Sequence, residues 1–375
     1  GSEMCIRDSL LNMKKRKIKL FDPKIDSTEK RNVESVFESH NWASGSGSNF
    51  VNSFEKKFIK YTGAQSGIAV NSGTAALHLA VSSISKEKGE IIVPSLSFVS
   101  TAHCVKYSGH KVIFSDIDPS TGCIDPIDIE KKITKKTKAI IPVHFGGLSC
   151  NLKEIAKIAK INHIPIIEDA SHAAGTKYAE KRIGSHSDLV CFSFHPVKNL
   201  AMPSGGFITI NSNNNNNYFK TDLQTKKWCG ISDRIENDYD VKDLGWNYYM
   251  NEFSAAIGLA QLSKLNKLNK FRRDTAKEYF KRINVNFKMP FENSCSYHFY
   301  WILVNNRNEI RTKLNKLGIE TGTHYKPIHK MSYYDKKINL SDTEMFSNKI
   351  ITLPTHPNLT NSNIDYIIEN INKII

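Results

Sequence analysis

The 375-residue sequence has no run of about 18 uninterrupted apolar residues, the length that a membrane-spanning helix requires. Glycine and proline are scarce, at 20 and 12 residues, and the apolar residues recur in short mixed blocks. These absences argue against a membrane protein, a collagen-like chain, a disordered chain and a coiled coil. With 40% hydrophobic and 24% charged residues, the composition is typical of a globular protein with a sizeable core.

Cysteine and histidine show none of the common metal-site or disulfide patterns. The seven cysteines are odd in number, widely spaced and without a Cys-x-x-Cys pair, and the thirteen histidines include no His-Glu-x-x-His motif. This argues against a disulfide scaffold and a zinc site and favours a reducing compartment. We therefore expect a cytoplasmic protein without metal. The first dozen residues, before Met13, resemble an appended leader, but they lack the apolar core of a signal peptide.

The formal net charge of +15 raises the question of nucleic-acid binding, because lysine-rich and arginine-rich surfaces attract phosphates. The lysines are scattered, however, and the only dense cluster, Lys14–Lys19, lies in the N-terminal extension. No aromatic-basic stripe or zinc knuckle follows it. We expect no nucleic-acid partner and interpret the charge as general surface charge, with attraction of an anionic small molecule as the alternative.

Strand-like and helix-like patterns alternate from residue 26 to about residue 210. Short apolar runs, typical of buried strands, are separated by longer amphipathic stretches such as Asn151–Lys160. The predicted strands are Ile68–Val70, Ile91–Val93, Val112–Phe114, Ala139–Val143, Ile164–Ile167, Leu189–Phe194 and Phe207–Ile210. Because strands that alternate with helices form βαβ units, we expect an α/β fold with a mostly parallel sheet.

The pattern changes after the seventh strand. The polar tract Asn211–Asn217 predicts an exposed loop, and Glu252–Leu268 predicts a long helix. The remainder mixes strands such as Tyr300–Val304 with helices such as Asn308–Leu317, which suggests a smaller α+β domain. The predicted division is an N-terminal extension over 1–20 that is partly non-native, a large α/β domain over 21–250 and a smaller α+β domain over 251–375.

Three polar segments follow apolar runs, at positions where ligands bind in open α/β sheets. The turn Asn71–Leu77 enters a helix, whose N-terminus suits a phosphate, although Ser and Thr are also common helix caps. Glu168 and Asp169 follow the fifth strand, either as caps of a helix or as a carboxylate for a cationic ligand atom. Lys198 closely follows the sixth strand, which is unusual because lysine normally stays solvated.

These three segments together match the requirements of one cofactor. A partly desolvated lysine has a lowered pKa and forms Schiff bases. Pyridoxal phosphate needs a helix N-terminus for its phosphate, a carboxylate for its pyridine nitrogen and a lysine for its aldehyde. We therefore predict pyridoxal 5'-phosphate as the cofactor, held by Asp169 and Lys198. We interpret His195 as a packing or hydrogen-bonding histidine.

Nine ordered segments between about residue 20 and the C-terminus form a recognisable set. They are Asn71–Leu79, Pro94–Thr101, Ile141–His144, Ile167–Gly175, Phe192–Asn199, Gly205-Gly206, Gly245–Glu252, Ala255–Leu262 and His324–His329. In these segments the sequence closely resembles the DegT/DnrJ/StrS family of sugar aminotransferases. The resemblance implies a fold-type I, pyridoxal-phosphate-dependent transferase with a seven-stranded, mostly parallel sheet. It also implies transfer of an amino group, from glutamate, to a keto group of a nucleotide-linked sugar.

The resemblance assigns roles to individual residues. Lys198 matches the lysine that forms the internal aldimine, Asp169 the partner of the pyridine nitrogen, and His172 a residue near the phenolic oxygen. The implied cofactor-binding positions, besides these, are Gly73, Thr74, Ala75, Phe98, Ser193 and Asn247. Phe98 is expected to stack on the cofactor ring. The implied substrate positions are His324, Tyr325 and His329.

The resemblance further implies a homodimer with shared sites, in which Asn247 reaches the cofactor phosphate of the partner subunit. The aromatic run of Trp246, Tyr248 and Tyr249 beside it is typical either of local packing or of an interface. Related sugar dehydratases have His at the position of Lys198, which argues against that alternative. A cofactor-binding regulator of nucleic acid would need a helix-turn-helix appendage, for which the N-terminal extension is too short.

Three features depart from the family pattern. Pro203-Ser204 stands where the family has Gly-Glu before Gly205-Gly206, Tyr249 replaces an arginine, and the loop after Trp42 is about two residues longer than usual. None of these departures removes a cofactor-binding group. We expect them to reshape the sugar pocket.

Overall fold

The structure, a computed structural model, describes residues 17–43, 49–212, 216–235, 238–334 and 337–375. The predicted leader, residues 14–16 of the lysine cluster and residues 44–48 of the loop after Trp42 lie outside these ranges. Within the predicted extension 1–20, Ile18 is buried, and its backbone pairs with Ile319 near the other end of the chain. Residues 17–20 therefore contact the C-terminal part of the fold.

Within the described residues, seven strands form the central sheet. In spatial order they are β1 (Ser66–Val70), β9 (Gly206–Ile210), β8 (Leu189–Ser193), β5 (Ile167–Asp169), β4 (Thr137–Ile140), β2 (Glu90–Pro94) and β3 (Lys111–Ser115). Parallel bridges from Ile140 to Ile166 and from Val143 to Asp169 join β4 to β5. Strand β9 is antiparallel to both of its neighbours, and the other pairs are parallel. The predicted α/β fold with a mostly parallel sheet is confirmed, and each predicted strand overlaps one of these seven.

The strands are buried on both faces, which explains their continuous apolar runs. All five residues of β2 are buried, for example. One face of the sheet packs against α3 (Gly73–Ser82), α4 (Ser100–Tyr107) and α7 (Asn216–Lys226). The other face packs against α2 (Asn49–Thr62), α6 (Leu152–Ile161) and α8 (Glu252–Arg282). Two further helices are α1 (Ser27–Ser39) and α5 (Pro126–Lys132).

Helix α2 shows how the sequence determines these elements locally. Phe54 and Phe58, four residues apart, are both fully buried on the face that packs against the sheet. The helix ends at Thr62, and Gly63 follows with a φ of 77°, a left-handed conformation that glycine adopts without strain.

The described residues after α8, which we call the C-terminal part, form an antiparallel sheet and three α-helices. Its strands are β12 (Phe287–Lys288), β13 (Tyr300–Leu303) and β14 (Ile350–Leu353), and its helices are α9 (Arg307–Lys316), α10 (Ser341–Lys349) and α11 (Asn361–Ile374). The predicted helix Glu252–Leu268 is the first half of α8, which continues to Arg282 because Ala276 and Tyr279 are also buried. The division of the chain at residue 250 stays a prediction.

The described residues also form two hairpins. They are β6 (Lys177–Tyr178) with β7 (Lys181–Arg182), and β10 (Ile231–Ile235) with β11 (Asp238–Val241). Helix α7 begins at Asn216, so the predicted loop Asn211–Asn217 is wrong at its last two residues, and its residues 213–215 lie outside the described ranges. Among the helices of the described ranges, none has both the length and the apolar character that a bilayer crossing requires.

Candidate active site

A cavity of about 380 Å³ lies at the carboxyl ends of the central strands. Its wall includes the segments that follow β1, β2, β5 and β8. Phe21 from the N-terminal segment and His298, His324 and Tyr325 from the C-terminal part complete the wall. This end of a parallel sheet is where ligands bind in open α/β folds.

The N-terminus of α3 forms one part of this wall. Ser72 caps the helix, since its Oγ accepts a hydrogen bond from the Ala75 N–H at 3.1 Å. A Cβ added to Gly73 would lie 2.6 Å from the Cβ of Ser193, so the glycine allows α3 to approach β8 closely. Thr74 and Ser193 line the cavity beside the first N–H groups of the helix, which have no acceptor within the helix. The turn is thus both a capped helix start and a suitable phosphate site.

Asp169 and Glu168, neighbours in sequence, have different surroundings. Asp169 lines the cavity and accepts hydrogen bonds from Thr101 Oγ1 at 2.8 Å and from the Ser171 N–H at 3.1 Å. Glu168 is fully buried and bonded to His144 Nε2 at 2.8 Å. Burial alone would raise the pKa of Glu168, but its hydrogen bonds, chiefly that with His144, hold the pKa below its usual value. Turns follow these residues, so neither carboxylate caps a helix.

Lys198 lies in the turn after β8, where its backbone N–H donates to the carbonyl oxygen of His195 at 2.8 Å. Its side chain lines the cavity. Desolvation by the surrounding protein lowers the pKa of Lys198 to about 8, although the negative charge of Asp169 acts in the opposite direction. An amine with this pKa is partly neutral near neutral pH, and the neutral form is the one that attacks an aldehyde.

A stack of four rings lies beside Lys198 along the cavity. The ring centroids are 5.2 Å apart from Phe21 to His298 and 4.6 Å apart from His298 to His172. The next centroid distance, from His172 to Tyr325, is 6.1 Å, and each ring lies within 26° of the plane of its neighbour. The stack therefore joins the N-terminal segment, the central sheet and the C-terminal part at one place.

The hydrogen bonds of His172 define its protonation. The Gly146 N–H donates to Nδ1 at 3.4 Å, so the ring proton of neutral His172 lies on Nε2, which is 3.0 Å from the Tyr325 hydroxyl. Burial, assisted by the charge of Lys198, holds the pKa of His172 well below its usual value. Burial also raises the pKa of Tyr325. Both side chains are thus neutral, and the Tyr325 proton is available to a group in the cavity.

The structure brings most of the predicted site residues together. Those that line the cavity are Gly73, Thr74, Phe98, Asp169, His172, Ser193, Lys198, His324 and Tyr325. Phe98 is 57% exposed, so its ring is open to a planar ligand. His195 also lines the cavity, as do Ser204, which departs from the family pattern, and the family-like Gly205.

Three predicted residues lie outside the described wall. His329 is fully buried between Ser95, at 2.6 Å from Nδ1, and Glu344, at 3.2 Å from Nε2, so the structure does not support a substrate contact for His329. Ala75 is buried in the first turn of α3. Asn247 is exposed and does not contribute to the cavity of its own chain.

The aromatic run beside Asn247 is packed locally in part. The Trp246 ring lies 4.3 Å from the ring of His78, and the Tyr248 hydroxyl is 3.1 Å from His78 Nδ1. Trp246 and Tyr248 both pack against the core on that side of the sheet. The local-packing alternative therefore accounts for these two aromatic residues.

Several residues of the wall have no role assigned from the sequence, among them Thr101, Phe21 and His298. Thr101, which bonds to Asp169, lies in a family-like segment, and its position in that segment is the signal that would have found it. Phe21 and His298 are distant in sequence from the other wall residues, and no local pattern marks them. Over the described ranges, no cluster of three or more His, Cys, Asp or Glu side chains is arranged to hold a metal ion.

The donor groups of the cavity fit pyridoxal phosphate. A helix N-terminus with hydroxyls at Thr74 and Ser193 suits the phosphate, and Asp169 suits the pyridine nitrogen. Lys198, with its lowered pKa, suits the aldehyde.

Comparisons with known proteins agree with this chemistry. The model of the DegT/DnrJ/EryC1/StrS aminotransferase family matches residues 23–372. GDP-perosamine synthase of Escherichia coli O157:H7 is 34% identical over 364 residues, which cover 95% of this chain and 98% of that protein. Helicobacter pylori PseC, an aminotransferase involved in the biosynthesis of pseudoaminic acid, superposes with a TM-score of 0.90 at 28% identity, covering 96% of this chain and 99% of PseC. Spr1654 of Streptococcus pneumoniae in its PMP form superposes with a TM-score of 0.90 at 26% identity, with coverages of 96% and 98%.

Proposed function

The chain belongs to the DegT/DnrJ/EryC1/StrS aminotransferase family, and we propose that it transfers an amino group from glutamate to a keto group of a nucleotide-linked sugar. It is a pyridoxal-phosphate-dependent sugar aminotransferase, as the similarity over nearly the whole chain indicates. The observation that carries the proposal is the placement of Lys198 and Asp169 in one cavity beside the N-terminus of α3. The similarity to GDP-perosamine synthase, whose name contains a GDP-linked sugar, supports the nucleotide-linked substrate.

Lys198 is the residue that we propose to move the proton of the reaction. Pyridoxal phosphate, when bound, supplies the ring that accepts the electron pair of the carbon from which a proton is removed. Lys198 Nζ takes that proton from the α-carbon of the amino donor and delivers it to the C4′ carbon of the cofactor. A pKa of about 8 suits both roles, because the amine exists in both protonation states near neutral pH. Proton transfer by one positioned base contributes roughly 10²–10⁴ in rate.

Asp169 is proposed to keep the pyridine nitrogen protonated. Its two oxygens are held by Thr101 and by the Ser171 N–H, so the orientation of the carboxylate is restricted. Each carboxylate oxygen has a second lone pair, which leaves capacity for a cationic N–H group. The carboxylate is 3% exposed, and at such a buried position its charge interacts more strongly than it would in water.

The other wall residues are proposed to bind and orient. Thr74, Ser193 and the first N–H groups of α3 hold the phosphate, and Phe98 covers the cofactor ring. His172 and Tyr325 together offer a neutral hydroxyl donor to an oxygen atom in the cavity. The ring of His324 lies beside that of Tyr325, where we propose that it contacts the substrate.

We also propose a cytoplasmic homodimer in which Asn247 completes the cavity of the partner subunit. The exposure of Asn247 and its position outside its own cavity support this assignment. The six described cysteines are free, which agrees with a reducing compartment. The dehydratase alternative is not favoured, because the relatives named here are aminotransferases or a perosamine synthase and position 198 is lysine.

The test is amino transfer to a panel of nucleotide-linked keto sugars, with the protein loaded as the pyridoxamine form and the products measured by mass spectrometry. We expect amination of at least one sugar by the wild-type protein and none by Lys198→Ala. Lys226→Ala is the matched control, since Lys226 is a buried lysine that pairs with Asp222 at 2.9 Å outside the cavity. Full turnover by Lys198→Ala, or inactivity of the wild type toward every sugar, would contradict the proposal.

A further inference from the structure

The first turn of α4 is bonded to two separate parts of the cavity wall. Thr101 Oγ1 donates to Asp169 Oδ2 at 2.8 Å. The preceding residue, Ser100, has its Oγ 2.7 Å from the Oγ1 of Thr74 at the N-terminus of α3. Two consecutive residues of one helix therefore contact the carboxylate and the phosphate-binding turn.

The bond to Asp169 is the inner end of a buried chain of hydroxyls. Ser97 Oγ lies 2.7 Å from Thr101 Oγ1, and Ser97, Thr101 and Asp169 are 2%, 1% and 3% exposed. Because Thr101 donates its only hydroxyl proton to the carboxylate, Ser97 is the donor to Thr101. Such buried chains polarise one another, so each bond strengthens the next.

Backbone hydrogen bonds tie the first turn of α4 to Phe98 and Val99, the two residues before it. The Thr101 N–H donates to the Phe98 carbonyl oxygen at 3.1 Å, and the His103 N–H donates to the Val99 carbonyl oxygen at 2.9 Å. Phe98, which precedes both contact residues in the sequence, also lines the cavity. A site that rests on a helix turn is held more accurately than one that rests on separate loops.

We propose that Ser100 and Thr101 are positioning residues that set the spacing between the phosphate-binding turn and the carboxylate of Asp169. Thr101 orients the group that faces the pyridine nitrogen, and Ser100 orients the Thr74 hydroxyl toward the phosphate. The inference rests on the proposed function, because it takes pyridoxal phosphate as the ligand of both groups. Neither residue needs to touch the reacting atoms.

The first experiment separates Thr101 from general stability. Thr101→Val removes the hydroxyl at nearly constant volume, and Thr101→Ser keeps the hydroxyl. A hydrogen bond to a charged group contributes more to stability than a neutral one. We therefore expect Thr101→Val to weaken the binding of pyridoxal phosphate to the apoenzyme about tenfold or more, and Thr101→Ser to weaken it less than about threefold. Binding is measured by quenching of tryptophan fluorescence, and the pH dependence of the visible absorbance of the bound cofactor is recorded alongside.

Thr343→Val is the matched control. Thr343 is fully buried and donates to Asp116 at 2.7 Å, which is the same type of bond outside the cavity. It should lower the melting temperature as Thr101→Val does, but leave cofactor affinity and absorbance unchanged. If Thr101→Val does not fold, Thr101→Ala combined with Ser97→Ala is measured in its place, with the same expectations.

The second experiment uses the phosphate group as a probe of Ser100. Ser100→Ala should weaken the binding of pyridoxal phosphate about three- to tenfold, as expected for loss of a neutral hydrogen bond, and leave the binding of pyridoxal, which has no phosphate, unchanged. Thr101→Val should weaken both ligands equally. Ser83→Ala is the control, because Ser83 is a buried serine whose hydroxyl donates to the Ala80 carbonyl oxygen, outside the cavity.

The outcomes distinguish this inference from the proposed function. Equal cofactor affinity and absorbance in Thr101→Val and Thr343→Val would overturn the positioning role, and so would an equal loss of both ligands in Ser100→Ala. The proposed function would still stand in either case if Lys198→Ala is inactive and Asp169→Asn loses most of its turnover. If Asp169→Asn kept normal cofactor affinity, absorbance and turnover, the proposed site itself would be wrong.

Discussion

The pKa of Lys198 offers a direct test of the site in the cofactor-free protein. Desolvation lowers this pKa to about 8, and the charge of Asp169 raises it against that effect. Asp169→Asn removes the charge and keeps the shape of the side chain. The pKa of Lys198 should therefore fall below 8 in the variant, rather than return toward the value of a solvated lysine.

The size of the effect follows from the two protonation equilibria. At pH 7 an amine of pKa 8 is about 9% neutral, whereas an amine of pKa 10.5 is about 0.03% neutral, a difference of roughly 300-fold. At equal accessibility to an acylating reagent, Lys198 should thus react near neutral pH far more readily than a lysine with the ordinary pKa of 10.5. Asp169→Asn should increase the reactive fraction at pH 7 further.

The assay is trace acetylation of the apoprotein with isotopically labelled acetic anhydride between pH 5 and pH 10, read by mass spectrometry of the peptide that contains Lys198. The exposed Lys56 serves as the internal standard. We expect a midpoint near pH 8 for the wild type and a lower midpoint for Asp169→Asn. A wild-type midpoint above pH 10, or a midpoint that rises in Asp169→Asn, would refute the reasoning.

Three further predictions concern the carboxylate, the helix start and the assembly. Asp169→Asn should still bind pyridoxal phosphate but lose turnover about 100-fold or more, because the carboxylate supports proton transfer in the proposed reaction. Steady-state kinetics at saturating cofactor measure this loss. Gly73→Ala should destabilise the protein by about 1–3 kcal/mol, because the new Cβ would meet Ser193, and Ser193→Gly should recover part of the melting temperature in the double variant. Asn247→Trp and Lys198→Ala, each inactive alone, should regain part of the activity when their chains exchange, because a shared-site heterodimer leaves one site intact. No recovery after confirmed exchange, or a monomer in light scattering, would mean that the sites are not shared.

Adjacent residues show where local sequence information ends. Glu168 and Asp169 are both acidic and both follow a buried strand, so the sequence alone left them as helix caps or ligand groups. Alternation of side chains along β5 directs them to opposite sides, where His144 binds one and the cavity receives the other. The position of strand β4, after which the chain reaches His144, then decides which of the two sides receives a histidine partner.

The histidines of the C-terminal part show the same limit. His324 and His329 lie in one family-like segment, yet His324 lines the cavity and His329 is enclosed by Ser95 and Glu344. His298 has no pattern that marks it, although it stacks on His172 at 4.6 Å. These outcomes depend on how the C-terminal part packs on the central sheet.

The sequence by itself determined the strands, the fold class, the capped start of α3 and the prediction that Lys198 and Asp169 belong to one site, because each depends on local periodicity, on helix-cap chemistry or on a motif. The tertiary structure decided which side chains share the cavity. Phe21 and His298 line it, Thr101 donates a hydrogen bond to Asp169, and His329 is buried outside it. Contacts between residues far apart in the sequence, such as that of Thr101 with Asp169, 68 positions away, arise from long-range packing. Such packing leaves no periodic signal in the chain, since it is selected by the shape and burial of the assembled elements rather than by their neighbours in sequence.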